Sequence, residues 1–184
     1  MYIASQKRKE NIAEYLLYMW QIEDIIRAND LDIDRIQANV IDRYPDLTPE
    51  QRTEMRQWYE SLIDMMRSEN VVNKGHLRIN RNTLSALADL HQKLLKDPRF
   101  ADYSSEFYRT LPFIVELRAK AGEDKAGEIE TCFNALYAIL LMRLSHREIT
   151  PETQNAITQI SKFIASLARN FRLDENDKLF DNGH

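Results

Sequence analysis

Thr48-Pro49-Glu50-Gln51-Arg52-Thr53-Glu54-Met55 opens the stretch that decides the fold, which runs on through Trp58, Tyr59, Leu62, Met65 and Met66 to Asn70. Threonine before a first helical turn accepts from the third helical N–H, and glutamine at that third position reaches back to the cap. Proline at the first position has no N–H to leave unpaired. The apolar residues then recur every three or four positions, the period of one helix face. Thr150-Pro151 repeats this opening, and Ile157, Ile160, Ile164, Leu167 and Phe171 repeat the stripe. Two helices, over about 48–70 and 150–171, anchor the reading of everything else.

Working outward, proline and glycine mark where other helices begin and end. A first helix is expected from about Ser5 to Ala28. A short second one begins after Asp32 and ends before Pro45, and a fourth covers about Asn82 to Lys96, stopped by Asp97-Pro98. The fifth runs from about Arg99 to Ala121, closed by Ala121-Gly122. Pro112 inside it is expected to kink or split it, because proline removes a hydrogen bond and clashes with the preceding turn. The sixth spans about Lys125 to Ser145. No period-two alternation, internal repeat or linker interrupts this pattern. The expected fold is all-α, a single-domain antiparallel helical bundle of six or seven helices over residues 1–171, with a loose polar tail over 172–184.

Composition removes several function classes. The formal charge is −4 with both signs interspersed, so the basic stripe of a nucleic-acid binder is missing, and Lys7-Arg8-Lys9 reads as a solvated face. The longest apolar run, Ala135 to Met142, is far below the roughly 20 residues of a membrane span. Neither nucleic acid nor membrane is expected as a partner. The N-terminus lacks the apolar core of a signal peptide, and Cys132 is the sole cysteine, which together favour the cytoplasm.

Chemical motifs are missing as well. Asn73, Ala88 and Arg143 stand three residues before His76, His91 and His146, so the Glu-x-x-His of di-iron bundles is absent. Asp30-x-Asp32-x-Asp34 starts like a calcium loop, but Arg35 and Ile41 replace the required glycine and glutamate; it reads as helix-capping acid. There is no glycine-rich phosphate loop and no Gly-x-Ser-x-Gly elbow. Cys132 falls on an apolar face, as a small hydrophobe. No metal, no cofactor and no catalytic residue is expected, and the balance leans away from an enzyme.

Projecting each helix at 100° per residue brings out three intruders. Glu23 lies among Leu16, Met19, Ile22 and Ile26. His91 sits between Leu84, Leu87, Leu94 and Leu95. Arg143 falls on the face carrying Ile129, Cys132, Phe133, Leu136, Ile139 and Leu140, on the most apolar helix, which is expected to be central. Buried charges demand partners. One reading is a salt bridge from Glu23 to Arg143 with His91 nearby, fixing helix register. The other is a polar-floored pocket, with Arg143 meeting an anionic ligand and Glu23 or His91 positioning it. Tyr18 and Trp20 flank the first stripe and suggest a second packing surface or a subunit interface, against the alternative of simple burial.

The run Gln6-Lys-Arg-Lys-Glu-Asn-Ile-Ala-Glu-Tyr-Leu-Leu-Tyr-Met-Trp-Gln-Ile-Glu-Asp24 resembles the opening of an uncharacterised bacterial family of about this length. The resemblance extends over the whole chain and implies a helical domain of unknown function, with no ligand or catalytic residue to carry over. Two functions stand as expectations. The first is a non-enzymatic cytoplasmic interaction protein, a homodimer or an adaptor for another protein. The second is a small-molecule-binding or enzymatic helical domain built on Glu23, His91 and Arg143.

Overall fold

The computed structural model describes residues 2–120 and 126–180. Among them are eight α-helices and no strand. They are α1 (Tyr2–Glu10), α2 (Ile12–Ala28), α3 (Ile33–Asn39), α4 (Pro49–Ser68), α5 (Arg78–Lys96), α6 (Ala101–Lys120), α7 (Glu128–Leu144) and α8 (Pro151–Glu175), with 3₁₀ turns at Ile41–Arg43 and Pro98–Phe100. The all-α reading holds.

The helix starts follow their caps. Thr48 Oγ1 accepts from Gln51 N at 3.2 Å while Gln51 Oε1 accepts from Thr48 N at 2.9 Å, closing both halves of the capping box. Thr150 accepts from Thr153 N, and Asp32 accepts from the N–H groups of Asp34 and Arg35, as the capping-acid reading requires. One cap was missed. Asn11 Oδ1 accepts from Ala13 N at 3.0 Å, so the expected first helix is divided into α1 and α2 and the count becomes eight.

Other boundaries moved too. α5 begins at Arg78, ahead of the expected Asn82. α6 runs through Pro112 without splitting; that residue is exposed, so the carbonyl it strands opens to water. The stop at Ala121-Gly122 and the start at Lys125 lie outside the described residues. α8 continues past Phe171 to Glu175, and within the supposed loose tail Phe180 packs edge-on against Phe100 at 5.7 Å. Residues 181–184 are outside the described set.

Where the sequence reading drew one domain over 1–171, the chain groups into two compact units: Met1–Lys9 with Glu14–Asn82, and Glu10–Ala13 with Thr83–His184. In the first, α3 and its following 3₁₀ turn pack on α4, Arg56 of α4 binds Asp34 of α3 at 2.7 Å, and Leu16, Met19, Ile26, Ile36 and Met66 are fully buried. In the second, α6, α7 and α8 pack on one another around Phe107, Ile114, Phe133, Ile160 and Phe163. Each large apolar side chain so buried contributes about 1.5–3 kcal/mol.

The expectation that the sixth predicted helix is central needs correction. The first turns of α7 are buried through Ile129, Thr131, Cys132 and Phe133, but Leu141 and Leu144 near its end are exposed, at 42% and 61%. Its apolar circumference is wider than the surface that α6 and α8 cover.

Candidate functional site

Glu23 carries a charge into the first unit and is fully buried. Three donors meet it: His76 Nδ1 at 2.6 Å, Leu77 N at 2.9 Å and Asn80 Nδ2 at 2.7 Å. Those donors belong to the segment between α4 and the first turn of α5, which α2 grips along one stripe. Trp20 stacks on the His76 ring at 4.1 Å, and Arg27 donates to the carbonyls of Val71 (3.1 Å) and Gly75. Positions 20, 23 and 27 share a helix face by their spacing. Gly75, at φ 86°, adopts a backbone conformation that costs other residues strain. Every bond a carboxylate needs here comes from within the fold, so Glu23 locks a loop.

His91 occupies the second unit, on α5, and is 1% exposed. Its Nδ1 lies 2.7 Å from the Tyr103 hydroxyl of α6, and its ring meets Phe107 edge-on at 4.7 Å. Nε2 makes no hydrogen bond, although the Glu128 carboxylate is 3.5 Å away. That carboxylate favours the tautomer with hydrogen on Nε2, so Tyr103 O–H donates to Nδ1. Burial lowers the His91 pKa from the usual imidazole value, with Glu128 opposing, and the ring is neutral near pH 7. Burial likewise raises the Tyr103 phenol, with smaller contributions from Cys132 and Glu128. Cys132 is pushed up to about 12, chiefly by burial, which makes it inert as a nucleophile, as its place on an apolar face suggests.

The third predicted member is elsewhere. Arg143 is exposed on α7, and its Nη2 reaches Gln154 Oε1 at 3.4 Å. The supposed Glu23–Arg143 bridge is therefore replaced by three separate environments, because α7 is covered only toward its beginning. The aromatic pair is corrected as well. Trp20 is 2% exposed, a core residue rather than an interface anchor. Tyr18 is half-buried, its pKa raised to about 12 by burial and by neighbouring Tyr44.

His91 lines a cleft. The space is about 430 Å³, bounded by α5, the end of α6 and the beginning of α7, a size usual for small-molecule sites. Its polar wall includes Ser85, Asp89, Arg118, Glu128 and Glu130, and its apolar wall Leu84, Ala88 and Ile129. Arg118, Asp89 and Glu130 have no ion-pair partner among the described residues. Sequence reasoning found His91 by its place in an apolar stripe. It missed Arg118 and Glu128, which carry no signal until α6 and α7 bring them to the same opening.

Among the described residues, no three His, Cys, Asp or Glu are placed to hold a metal ion, and no helix is long and apolar enough to cross a membrane. Neither the curated proteins nor the solved structures provide a match. A family model does match, over residues 1–178, and by it the chain belongs to the family described as Domain of unknown function (DUF4924).

Proposed function

We propose that the protein is a non-enzymatic, small-molecule-binding helical domain, acting in the cytoplasm, whose ligand occupies the His91 cleft. The observation carrying this reading is the cleft of about 430 Å³ that His91 lines together with Arg118, Glu128 and Ile129. Cys132 is buried, its thiol pushed up to about 12, and does not serve as a nucleophile. Native mass spectrometry of protein purified from its own host is expected to show a mass excess over an integer number of chains, lost in His91→Phe. A bare chain mass contradicts the reading.

A second reading, an interaction protein working as a homodimer or adaptor, is supported by the exposed Leu141 and Leu144 on α7. A clean dimer mass dissociated by Leu144→Glu favours it.

A further inference from the structure

We infer that the outer face of α7 binds a second copy of this chain, the two α7 helices packing antiparallel across a two-fold axis; this deepens the second reading above and rests on it. α7 carries apolar residues on two sides. Ile129, Cys132, Phe133 and Ile139 turn into their own unit and are at most 6% exposed. Glu130, Asn134, Tyr137, Leu141 and Leu144 follow one another at steps of four and three residues, the spacing of a coiled-coil seam. They fall on another side of the helix. Leu141 and Leu144 are exposed, at 42% and 61%, Asn134 is exposed, and Glu130 and Tyr137 are half-buried. An exposed apolar seam at this spacing suits a partner helix.

Charge selects the partner and its direction. α7 starts acidic, with Glu128 and Glu130 in its first turn, and ends on Arg143, with Arg147 and Glu148 just beyond. A parallel copy sets Glu130 on Glu130 and Asn134 on Asn134, like on like. An antiparallel copy, with the axis level with Ile139, sets Tyr137 of each chain on Leu141 of the other and Leu144 on Asn134. It also brings the acidic start of each helix to the Arg147 end of its partner, so the potentials are complementary at both ends. Each contact is made twice, as a two-fold interface requires. An unrelated protein needs only an apolar face; complementarity on reversal is a property that a second copy uses. A seam of one helix per chain belongs at the low end of interface sizes, roughly 1,200 Å². The dimer is therefore expected to exchange with monomer at micromolar concentration.

The test is sedimentation equilibrium of the full-length protein, from micromolar concentration to about 1 mM. Leu141→Glu and Leu144→Glu, at exposed positions and checked for unchanged helix content, are each expected to weaken association about tenfold or more. Asn134→Leu is expected to strengthen it about tenfold, a gain that loss of structure does not produce. Direction is read by disulfide trapping, with the buried native Cys132 as a silent background. A mixture of Asn134→Cys and Leu144→Cys chains is expected to link. Glu130→Cys alone is not, because its two copies lie about 27 Å apart along the axis. Failure of the mixed pair to link, or self-linking of Glu130→Cys, overturns the antiparallel packing. A dimer indifferent to Leu141→Glu and Leu144→Glu shows that this face is wrong, and the homodimer reading survives. A monomer at every concentration overturns the proposal and the homodimer together. The adaptor form of that reading is then tested separately, by whether a protein of defined mass co-purified from the host is lost in Leu144→Glu.

Discussion

Glu23 in the first unit and His91 in the second are almost equally buried, at 0% and 1% exposure, and each stands in the middle of an apolar helix stripe. Glu23 receives three hydrogen bonds from a single neighbouring segment. His91 receives one at Nδ1, from the Tyr103 hydroxyl, while its buried Nε2 faces the Glu128 carboxylate at 3.5 Å. The difference separates two uses of the same sequence signal. A polar group whose bonding capacity is filled from within holds the fold together, and removing it strands its donors. A polar group met by one close hydrogen bond and one carboxylate at 3.5 Å is held less completely, on a residue that also lines a cleft.

The strongest way to break this comparison is to remove Glu23. Glu23→Leu leaves Leu77 N and the Asn80 amide buried without an acceptor, and is expected to destabilise by about 3–5 kcal/mol in urea unfolding. Glu23→Gln keeps one acceptor oxygen and is expected to lose less. A loss below about 1 kcal/mol for Glu23→Leu means the loop is not held by this carboxylate.

The next effect is smaller and concerns the filled side of His91. Tyr103→Phe is expected to cost about 1–2 kcal/mol, by leaving Nδ1 without its donor. His91→Phe strands the Tyr103 hydroxyl in the same way, whereas the double change removes both partners and is expected to cost less than the sum of the two. A double-mutant cycle giving strict additivity contradicts the hydrogen bond.

Titration sharpens the comparison further. Burial is the larger influence on His91 and lowers its folded-state pKa below the ordinary 6.5. The unfolded chain then binds more protons, so the stability contributed by the neutral ring is fully present above about 6.5 and is lost as pH falls toward the folded value. Within that window wild type is expected to lose up to about 1.4 kcal/mol per pH unit relative to His91→Phe. Parallel urea midpoints for the two proteins between pH 7 and pH 5 refute it.

The smallest effect supplies a baseline. Thr48→Ala removes an exposed cap from α4 and is expected to cost about 1 kcal/mol, measured as a shift in urea midpoint with unchanged slope. Glu23 must exceed it clearly if burial, and not hydrogen bonding alone, sets the scale.

Helix beginnings were more legible than helix endings, for a definable reason. Thr48-Pro49 and Thr150-Pro151 announce a first turn through side-chain chemistry that depends on neighbours alone. Four helices end differently, with the bond pattern of a Schellman motif: Leu31 N to Ile26 O, Val71 N to Met66 O, Arg147 N to Met142 O, and Lys178 N to Leu173 O. The residue that turns into the left-handed region is Asp30, Asn70, His146 or Asp177 rather than glycine. With only four glycines in the chain, the usual stop signal was absent, and α8 ran past its expected end. Asn11 was overlooked for a related reason, since an asparagine inside a polar run does not stand out as a cap.

The sequence by itself determined that this protein is helical, where α4 and α8 begin, and that Glu23 and His91 sit in apolar stripes, because helix periodicity and capping are local properties. Tertiary structure alone decided that Glu23 is met by His76, Leu77 and Asn80, that Arg143 faces water, and that Arg118 and Glu128 join His91 at one opening. The physical reason is that a stripe records only which side of a helix avoids water. It carries no information about which distant segment covers that side, how far along the helix the cover extends, or whether the covering segment brings enough hydrogen-bonding groups to satisfy what it buries.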